Sequence, residues 1–309
     1  MEFLLQVVLL VAGFVLLIKG ADWFVDGSSA VAAKFGIPQL VIGLTIVAMG
    51  TSAPEAAVSI AAAVNGSAEI TIGNIIGSNI LNILIILGVS SVITAIAVAR
   101  STICYEIPFM IAITGILLLL GLDGSIGLVD GIILLVLFAA YLTYLFIMAK
   151  KDKDKESGEG VSMSVPRSII FIIVGLAMII LGSNLTVDAA SYIASALGLS
   201  ERFIGLTIVA LGTSLPELFT SVSAARKGNA DIAIGNIVGS NIFNILFVVG
   251  LSSVIISVPF AANFIFDTIV AITAAVLLLV CCLIGKNKLK RWAGIAMLIS
   301  YAAYFAVIL

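Results

Sequence analysis

The feature that most constrains the fold is a series of apolar stretches, each about 20 residues long, that recur from one end of the chain to the other. A helix of that length crosses the ~30 Å hydrocarbon core of a bilayer. A membrane β-barrel would instead show ~10-residue segments of alternating polarity. Only 10% of the 309 residues are charged, against about a quarter in soluble domains. The sequence therefore predicts an all-α polytopic membrane protein.

The apolar pattern predicts ten transmembrane helices. The N-terminal stretch runs into Lys19 without a small-residue cleavage site, so it is interpreted as a first span and not as a signal peptide. The stretch from Lys150 to Pro166 is rich in charged and small residues and is predicted to be a loop. The predicted spans are 3–20 (which can continue toward 33), 38–63, 70–97, 103–121, 126–149, 168–186, 200–225, 230–256, 262–284 and 291–308.

The distribution of basic residues predicts the orientation. If the N-terminus lies outside, fourteen of the fifteen Lys and Arg residues fall on one side, and only Arg202 falls on the other. Basic residues accumulate on the cytoplasmic side, so both termini should lie outside the cytoplasmic (inner) membrane, with the loop 150–167 in the cytoplasm. The fourteen are Lys19, Lys34, Arg100, Lys150, Lys151, Lys153, Lys155, Arg167, Arg226, Lys227, Lys286, Lys288, Lys290 and Arg291.

The chain contains an internal repeat with a constant offset of 162 residues. The segment GLTIVAMGTSAPE, which ends at Glu55, returns as GLTIVALGTSLPE, which ends at Glu217. The segment GNIIGSNILNIL from Gly73 returns as GNIVGSNIFNIL from Gly235. A shared offset without gaps indicates duplication.

The two copies must be inverted, because the second and seventh predicted spans are separated by an odd number of crossings. We therefore predict a first five-helix repeat at 1–149, the cytoplasmic loop 150–167, and a second, inverted five-helix repeat at 168–309. Inverted repeats with a midplane site are a recurring transporter architecture. A duplicated packing scaffold is the alternative, but packing alone would not retain the paired glutamates.

Glu55 and Glu217 are the strongest candidate functional residues. Each is predicted at mid-span, where an ionisable group costs at least ~2.5–3.5 kcal/mol. No Lys or Arg is predicted at comparable depth, so a bound cation or a proton must compensate for that cost. Pro54 and Pro216 break the preceding helical turns and free backbone carbonyls. The hydroxyl oxygens beside the breaks, from Thr51, Ser52, Thr213 and Ser214, complete an oxygen-only site that suits Na+ and Ca2+.

The second repeated motif supplies neutral oxygen ligands. Ser78 and Asn82 lie four residues apart and share a helix face, and Ser240 and Asn244 repeat this arrangement. The other repeated asparagines can also be ligands, but hydrogen bonds between helices are the favoured role for Asn74, Asn79, Asn236 and Asn241.

Charge counting suggests which ions bind. Two carboxylates carry two negative charges, which one Ca2+ neutralises and three Na+ exceed by one. Coulomb attraction at low dielectric favours the divalent ion. If the pocket holds either set but not both, the result is exchange, and a three-to-one exchange moves one net charge per cycle.

The paired Gly-Thr-Ser-x-Pro-Glu and Gly-Asn-x-x-Gly-Ser-Asn segments resemble the two α-repeats of the calcium/sodium antiporter family, within the cation/Ca2+ exchanger superfamily. The similarity is closest to prokaryotic Na+/Ca2+ exchangers with ten helices. It implies alternating access, in which the first and sixth helices slide over an eight-helix core. It also implies a set of metal ligands: Ala48, Thr51, Ser52, Glu55, Ser78, Asn82, Ala210, Thr213, Ser214, Glu217, Ser240 and Asn244, with the two alanines acting through backbone carbonyls.

Some relatives carry Asp at the position of Asn244, including the K+-dependent ones. Its absence here argues against K+ co-transport and leaves Na+ as the better coupling ion. An exchanger coupled to H+ or K+ is the nearest alternative, and a cation channel is an alternative of another class. An enzyme is disfavoured, because the chain has no histidine and no evident nucleophile–base pair.

The expected substrates are Ca2+ and Na+, with the lipid bilayer as the surroundings. No cofactor, nucleic acid or protein partner is implied, and the protein is expected to work as a single protomer. Asp26 and Asp188 match across the repeats and are predicted to cap helix ends, with lining of an ion entry as the alternative. Glu106 has no assigned role.

Overall fold

The computed structural model describes residues 2–65, 69–151, 163–198 and 210–308. Eight described helices are long and apolar enough to cross a membrane, and the bent pair α2–α3 adds a ninth span. The helices are α1 (Glu2–Phe35), α2 (Gln39–Thr51), α3 (Ala53–Val64), α4 (Ile70–Ile93), α5 (Thr102–Asp123), α6 (Leu128–Lys150), α7 (Val165–Ala196), α8 (Ala210–Gly212), α9 (Leu215–Arg226), α10 (Ala230–Ile255), α11 (Ala262–Ile284) and α12 (Arg291–Ile308).

The all-α membrane fold is confirmed, and the described spans follow the predicted ones closely at most boundaries. The predicted span 200–225 lies partly outside the described residues, and its described part forms α8 and α9. The sixth predicted span, 168–186, was too short, because α7 continues to Ala196. Asp188 and Ser191 lower the hydropathy of this extension, but its alanines and isoleucine are compatible with helix.

The two longest helices, α1 and α7, pack against each other. Their backbones meet at glycines: a Cβ atom on Gly20 would lie 2.8 Å from the carbonyl oxygen of Gly175, and one on Gly175 would lie 2.6 Å from the backbone nitrogen of Phe24. Small residues allow membrane helices to approach this closely.

The repeated motifs produce the same helix breaks in both halves. The chain bends by 51° between α2 and α3, at Ser52. In the second half a turn at Thr213 and Ser214 separates α8 from α9. The prediction that the prolines interrupt these helices is therefore confirmed. The freed carbonyl of Gly212 accepts a hydrogen bond of 2.7 Å from the hydroxyl of Ser183 on α7.

Two features were not predicted from the sequence. Wider π-helical turns interrupt the helices at Gly43–Val47, Asn82–Leu87, Thr102–Glu106 and Asn244–Val249. Short antiparallel strands also pair between the halves: β1 (Ile96–Ala97) with β4 (Lys288–Leu289), and β2 (Ser125–Ile126) with β3 (Val258–Pro259). An offset of 162 residues relates β1 to β3, and one of 163 residues relates β2 to β4, so the two strand pairs are equivalent.

The motif-bearing helices α4 and α10 form the centre of the molecule. Of the 18 most apolar consecutive residues in each helix, 78% are buried in α4 and 94% in α10. The corresponding share is 17% in α1, α6 and α12. The outer helices therefore present apolar side chains to lipid, and α4 and α10 bring their polar motifs together away from it.

Candidate functional site

The breaks at Ser52 and Ser214 bring the two glutamates together across the halves. The hydroxyl of Ser52 donates a hydrogen bond of 2.7 Å to Oε1 of Glu217, and the hydroxyl of Ser214 donates one of 3.3 Å to Oε1 of Glu55. Each glutamate is 1% exposed. Because each serine precedes its own glutamate by three residues, the two bonds bring the carboxylates into one site between the halves.

Four side-chain oxygens at the site have no donor among the described residues. They are Oε2 of Glu55, Oε2 of Glu217, Oδ1 of Asn82 and Oδ1 of Asn244, and all four are buried. Leaving a polar group buried and unpaired costs roughly 1–3 kcal/mol, and more for a charged group. The four form two pairs related by the 162-residue offset. Carboxylate and amide oxygens in this state are suited to ligating a hard cation.

Two further asparagines orient the amide ligands. The amide nitrogen of Asn82 donates to Oδ1 of Asn241 at 2.9 Å, and that of Asn244 donates to Oδ1 of Asn79 at 3.2 Å. Asn79 and Asn241 also donate to each other's backbone carbonyls, both at 3.2 Å. These bonds engage the NH2 groups of Asn82 and Asn244 and leave their oxygens available.

The remaining repeated asparagines connect neighbouring helices, as predicted. Asn74 donates to the hydroxyl of Ser59 at 2.9 Å, and Asn236 donates to that of Ser221 at 2.9 Å. Asn236 also accepts a bond of 2.9 Å from the hydroxyl of Thr51. These residues fix the helices that carry the glutamates.

The other predicted ligands lie around the same breaks. The carbonyl of Ala48 accepts bonds from the hydroxyls of Thr51 at 3.3 Å and Ser240 at 3.4 Å, and the side chains of these residues are all buried. Ser78 is buried and Thr213 is half-buried. Ala210 is the first described residue of α8.

The prediction that Asp26 and Asp188 cap helix ends is wrong. Both lie inside helices, Asp26 in α1 and Asp188 in α7. The carboxylate of Asp26 forms an ion pair of 2.6 Å with Lys227, just after the end of α9. The same lysine lies 3.6 Å from the carboxylate of Asp22, which accepts a bond of 2.6 Å from Ser223. This cluster connects α1 to the helix that carries Glu217.

Replacing Asn79 with alanine should weaken Ca2+ binding without removing a predicted ligand. Asn244 would lose the acceptor that orients its amide, and loss of such a supporting contact typically costs about 10–100-fold in metal affinity. The Ca2+ concentration for half-maximal uptake should rise by that factor. Asn229→Ala is the control, since its amide bonds Ser29 at 3.0 Å, away from the glutamates. An unchanged half-maximal concentration in Asn79→Ala would contradict the orienting role.

The chain resembles known proteins over nearly its whole length. The family described as "Sodium/calcium exchanger protein" matches residues 5–147 and 167–309. The putative antiporter CaxA of Alkalimonas amylolytica is 40% identical over 97% of this chain and 98% of that protein. The sodium/calcium exchanger MaX1 of Methanosarcina acetivorans is 31% identical, with 97% of each chain covered.

A solved structure shares the fold. The sodium-calcium exchanger NCX_Mj, soaked with zero Na+ and Ca2+, superposes with a TM-score of 0.86 at 35% identity, and the match covers 99% of each chain. Both halves of the sequence match the same family, and the fold agrees over the full length. The chain therefore belongs to the sodium/calcium exchanger protein family.

Proposed function

We propose that this protein is a secondary antiporter that exchanges Na+ for Ca2+ at a site between Glu55 and Glu217. The observation that carries the proposal is the set of four buried, unpaired oxygens, contributed in equivalent pairs by the two halves. The sequence contains no Lys or Arg between Lys34 and Arg100, and Arg226 lies nine residues beyond Glu217. Cations are therefore the available counter-charges.

The ligand set suits both ions. Ca2+ takes six to eight oxygen ligands, and the four unpaired oxygens supply part of that number. We propose that the predicted hydroxyls and the carbonyls of Ala48 and Ala210 supply the rest, with Na+ ions occupying overlapping positions. One Ca2+ balances the two carboxylates, and three Na+ exceed them by one, so exchange in that ratio is electrogenic.

We further propose a topology and a mode of movement. Both termini lie outside the cytoplasmic membrane, and the segment 150–167 lies in the cytoplasm between the repeats 1–149 and 168–309. The charge distribution and the equivalent contacts of the two halves support this arrangement. The glycine contacts between α1 and α7 suit a pair of helices that moves as a unit over the other helices, which would open the site to each side in turn. One protomer contains the whole site.

Reconstituted protein tests the function. Proteoliposomes loaded with Na+ should accumulate radioactive Ca2+ when diluted into Na+-free buffer, and K+ or H+ gradients of equal size should not drive uptake. Uptake driven by the H+ gradient alone would overturn Na+ coupling. Sustained Ca2+ current without a counter-ion gradient would identify a channel instead.

The same vesicles report the charge moved. One net charge per cycle is worth ~2.3 kcal/mol per ~100 mV, or about 40-fold in the Ca2+ ratio at equilibrium. A K+ diffusion potential set with valinomycin should change that ratio accordingly. A ratio that does not respond to voltage would show electroneutral exchange.

A further inference from the structure

A second buried carboxyl group lies outside the transport site, between α5 and α6. Glu106 is 1% exposed, and its Oε1 accepts a hydrogen bond of 2.5 Å from the hydroxyl of Tyr144. Its Oε2 is buried and has no hydrogen-bond partner in the described part of the chain. Glu106 lies outside the repeated motifs and is not one of the predicted ion ligands.

Glu106 lines a cavity of about 350 Å³, which falls within the usual range for small-molecule sites. Tyr141 also lines the cavity; it is 4% exposed, and its hydroxyl has no partner among the residues described. The walls are otherwise apolar and aromatic, with the rings of Phe109 and Tyr141 stacked 5.6 Å apart. The Glu106 carboxylate and the Tyr141 hydroxyl therefore both have unused hydrogen-bonding capacity, and both residues line the same aromatic cavity.

A cavity with a carboxylate, a hydroxyl and aromatic walls is suited to binding an organic ammonium group. A carboxylate attracts the positive charge, the faces of aromatic rings stabilise it, and the free carboxylate and hydroxyl oxygens accept its N–H groups. A Ca2+ ion needs six to eight oxygens, and Glu106 supplies the one carboxylate among the described residues that line this cavity. The cavity therefore suits an amine better than a metal ion.

The position of the cavity points to the bilayer as the source of that amine. Its mouth includes the exposed residues Cys104, Tyr105 and Ala140 on membrane-spanning helices. Glu106 is the fifth residue of α5, about 6 Å from the helix end at 1.5 Å per residue. This depth is just below the headgroup region, where an ammonium group attached to acyl chains can reach the carboxylate.

The second half of the molecule has a related but different arrangement. Its acid–tyrosine pair is formed by Asp267 and Tyr304, whose hydroxyl donates a bond of 2.9 Å to that carboxylate. Tyr304 lines a cavity there, but Asp267 is half-buried and is not among the residues that line it. A buried, unpaired carboxylate oxygen together with an unpaired tyrosine hydroxyl is therefore found at Glu106 and Tyr141 and not at this second pair.

We propose that this cavity binds the primary ammonium headgroup of a phosphatidylethanolamine molecule from the adjacent leaflet, with the ammonium between Glu106 and Tyr141. The lipid would occupy a fixed position on α5 and α6 and supply the counter-charge that Glu106 otherwise lacks.

Native mass spectrometry of the full chain in detergent tests this proposal. With dioctanoyl phosphatidylethanolamine as the probe, the wild type should retain one lipid at least tenfold more tightly than the phosphatidylglycerol of equal chain length. Glu106→Gln removes the charge but keeps an acceptor for Tyr144, and it should abolish the preference. Tyr141→Phe, which removes only the unpaired hydroxyl, should reduce the preference and provides a second test if the first variant is unstable.

The matched control is Asp267→Asn. Asp267 accepts a bond of 2.9 Å from Tyr304 on the next helix, so it forms an acid–tyrosine pair of the same kind in the other half. This variant should keep the wild-type preference. Equal retention of the two lipids by the wild type would overturn the proposal, and so would an unchanged preference in both Glu106→Gln and Tyr141→Phe. Binding of decylamine but not of phosphatidylethanolamine would overturn the lipid source.

Discussion

Replacing either Glu55 or Glu217 with glutamine should abolish Na+-driven Ca2+ uptake while leaving the protein folded in the membrane. Each substitution halves the negative charge that the ions meet. At ~4 Å and an effective dielectric constant of ~20, one pair of unit charges is worth about 4 kcal/mol, so Ca2+ uptake should fall by roughly 100-fold or more. Insertion should not suffer, because glutamine is less costly than an ionised group at mid-span.

The measurement is initial uptake of radioactive Ca2+ into proteoliposomes that contain equal amounts of folded protein. Glu106→Gln is the matched control, since it makes the same change at a carboxylate that is also 1% exposed and lies in a span. It should transport at the wild-type rate. Full uptake by Glu55→Gln or Glu217→Gln would refute the site assignment. Loss in all three variants would indicate that the substitution damages the helix bundle.

Linking α1 to the end of α9 should stop exchange almost completely. Asp26 and Lys227 already form an ion pair of 2.6 Å, so cysteines at these positions can be joined by a bifunctional methanethiosulfonate reagent. If α1 must move over α9 to change access, a covalent link blocks the cycle in every molecule it joins. We expect a fall in Ca2+ uptake of at least tenfold, with recovery after dithiothreitol.

The single variants Asp26→Cys and Lys227→Cys, treated with the same reagent, are the controls. They should keep most of their activity, which would show that neither the loss of the ion pair nor the three native cysteines causes the inhibition. Linked protein that still exchanges ions at the rate of the single variants would exclude relative movement of α1 and α9.

The sequence predicted the chemistry of the candidate site because that chemistry depends on residue type and depth in the membrane. A glutamate within an apolar stretch needs a counter-charge, and Pro54 and Pro216 must interrupt their helices wherever these pack. The constant offset between the copies further identified the residues that should act as pairs. The bend at Ser52 and the burial of both glutamates agree with these predictions.

Hydropathy predicted the ends of helices poorly where polar residues lie within a long helix. Asp26 and Asp188 suggested helix ends, yet α1 and α7 continue beyond both. For Asp26 the reason is a cationic partner, Lys227, just after the end of α9, which no local pattern reveals. The π-helical turns at Asn82 and Asn244 also gave no signal in the sequence, since they preserve the apolar pattern around them.

By itself, the sequence determined that the chain spans a membrane, and it predicts that the halves are inverted copies and that two glutamates meet cations there. Only the tertiary structure decided which oxygens remain unpaired, because Asn79 and Asn241 occupy the amide nitrogens of Asn244 and Asn82 from the opposite half. It also placed an unpaired tyrosine hydroxyl beside Glu106. Hydropathy and repetition are properties of the chain, whereas hydrogen-bond satisfaction depends on which helices become neighbours.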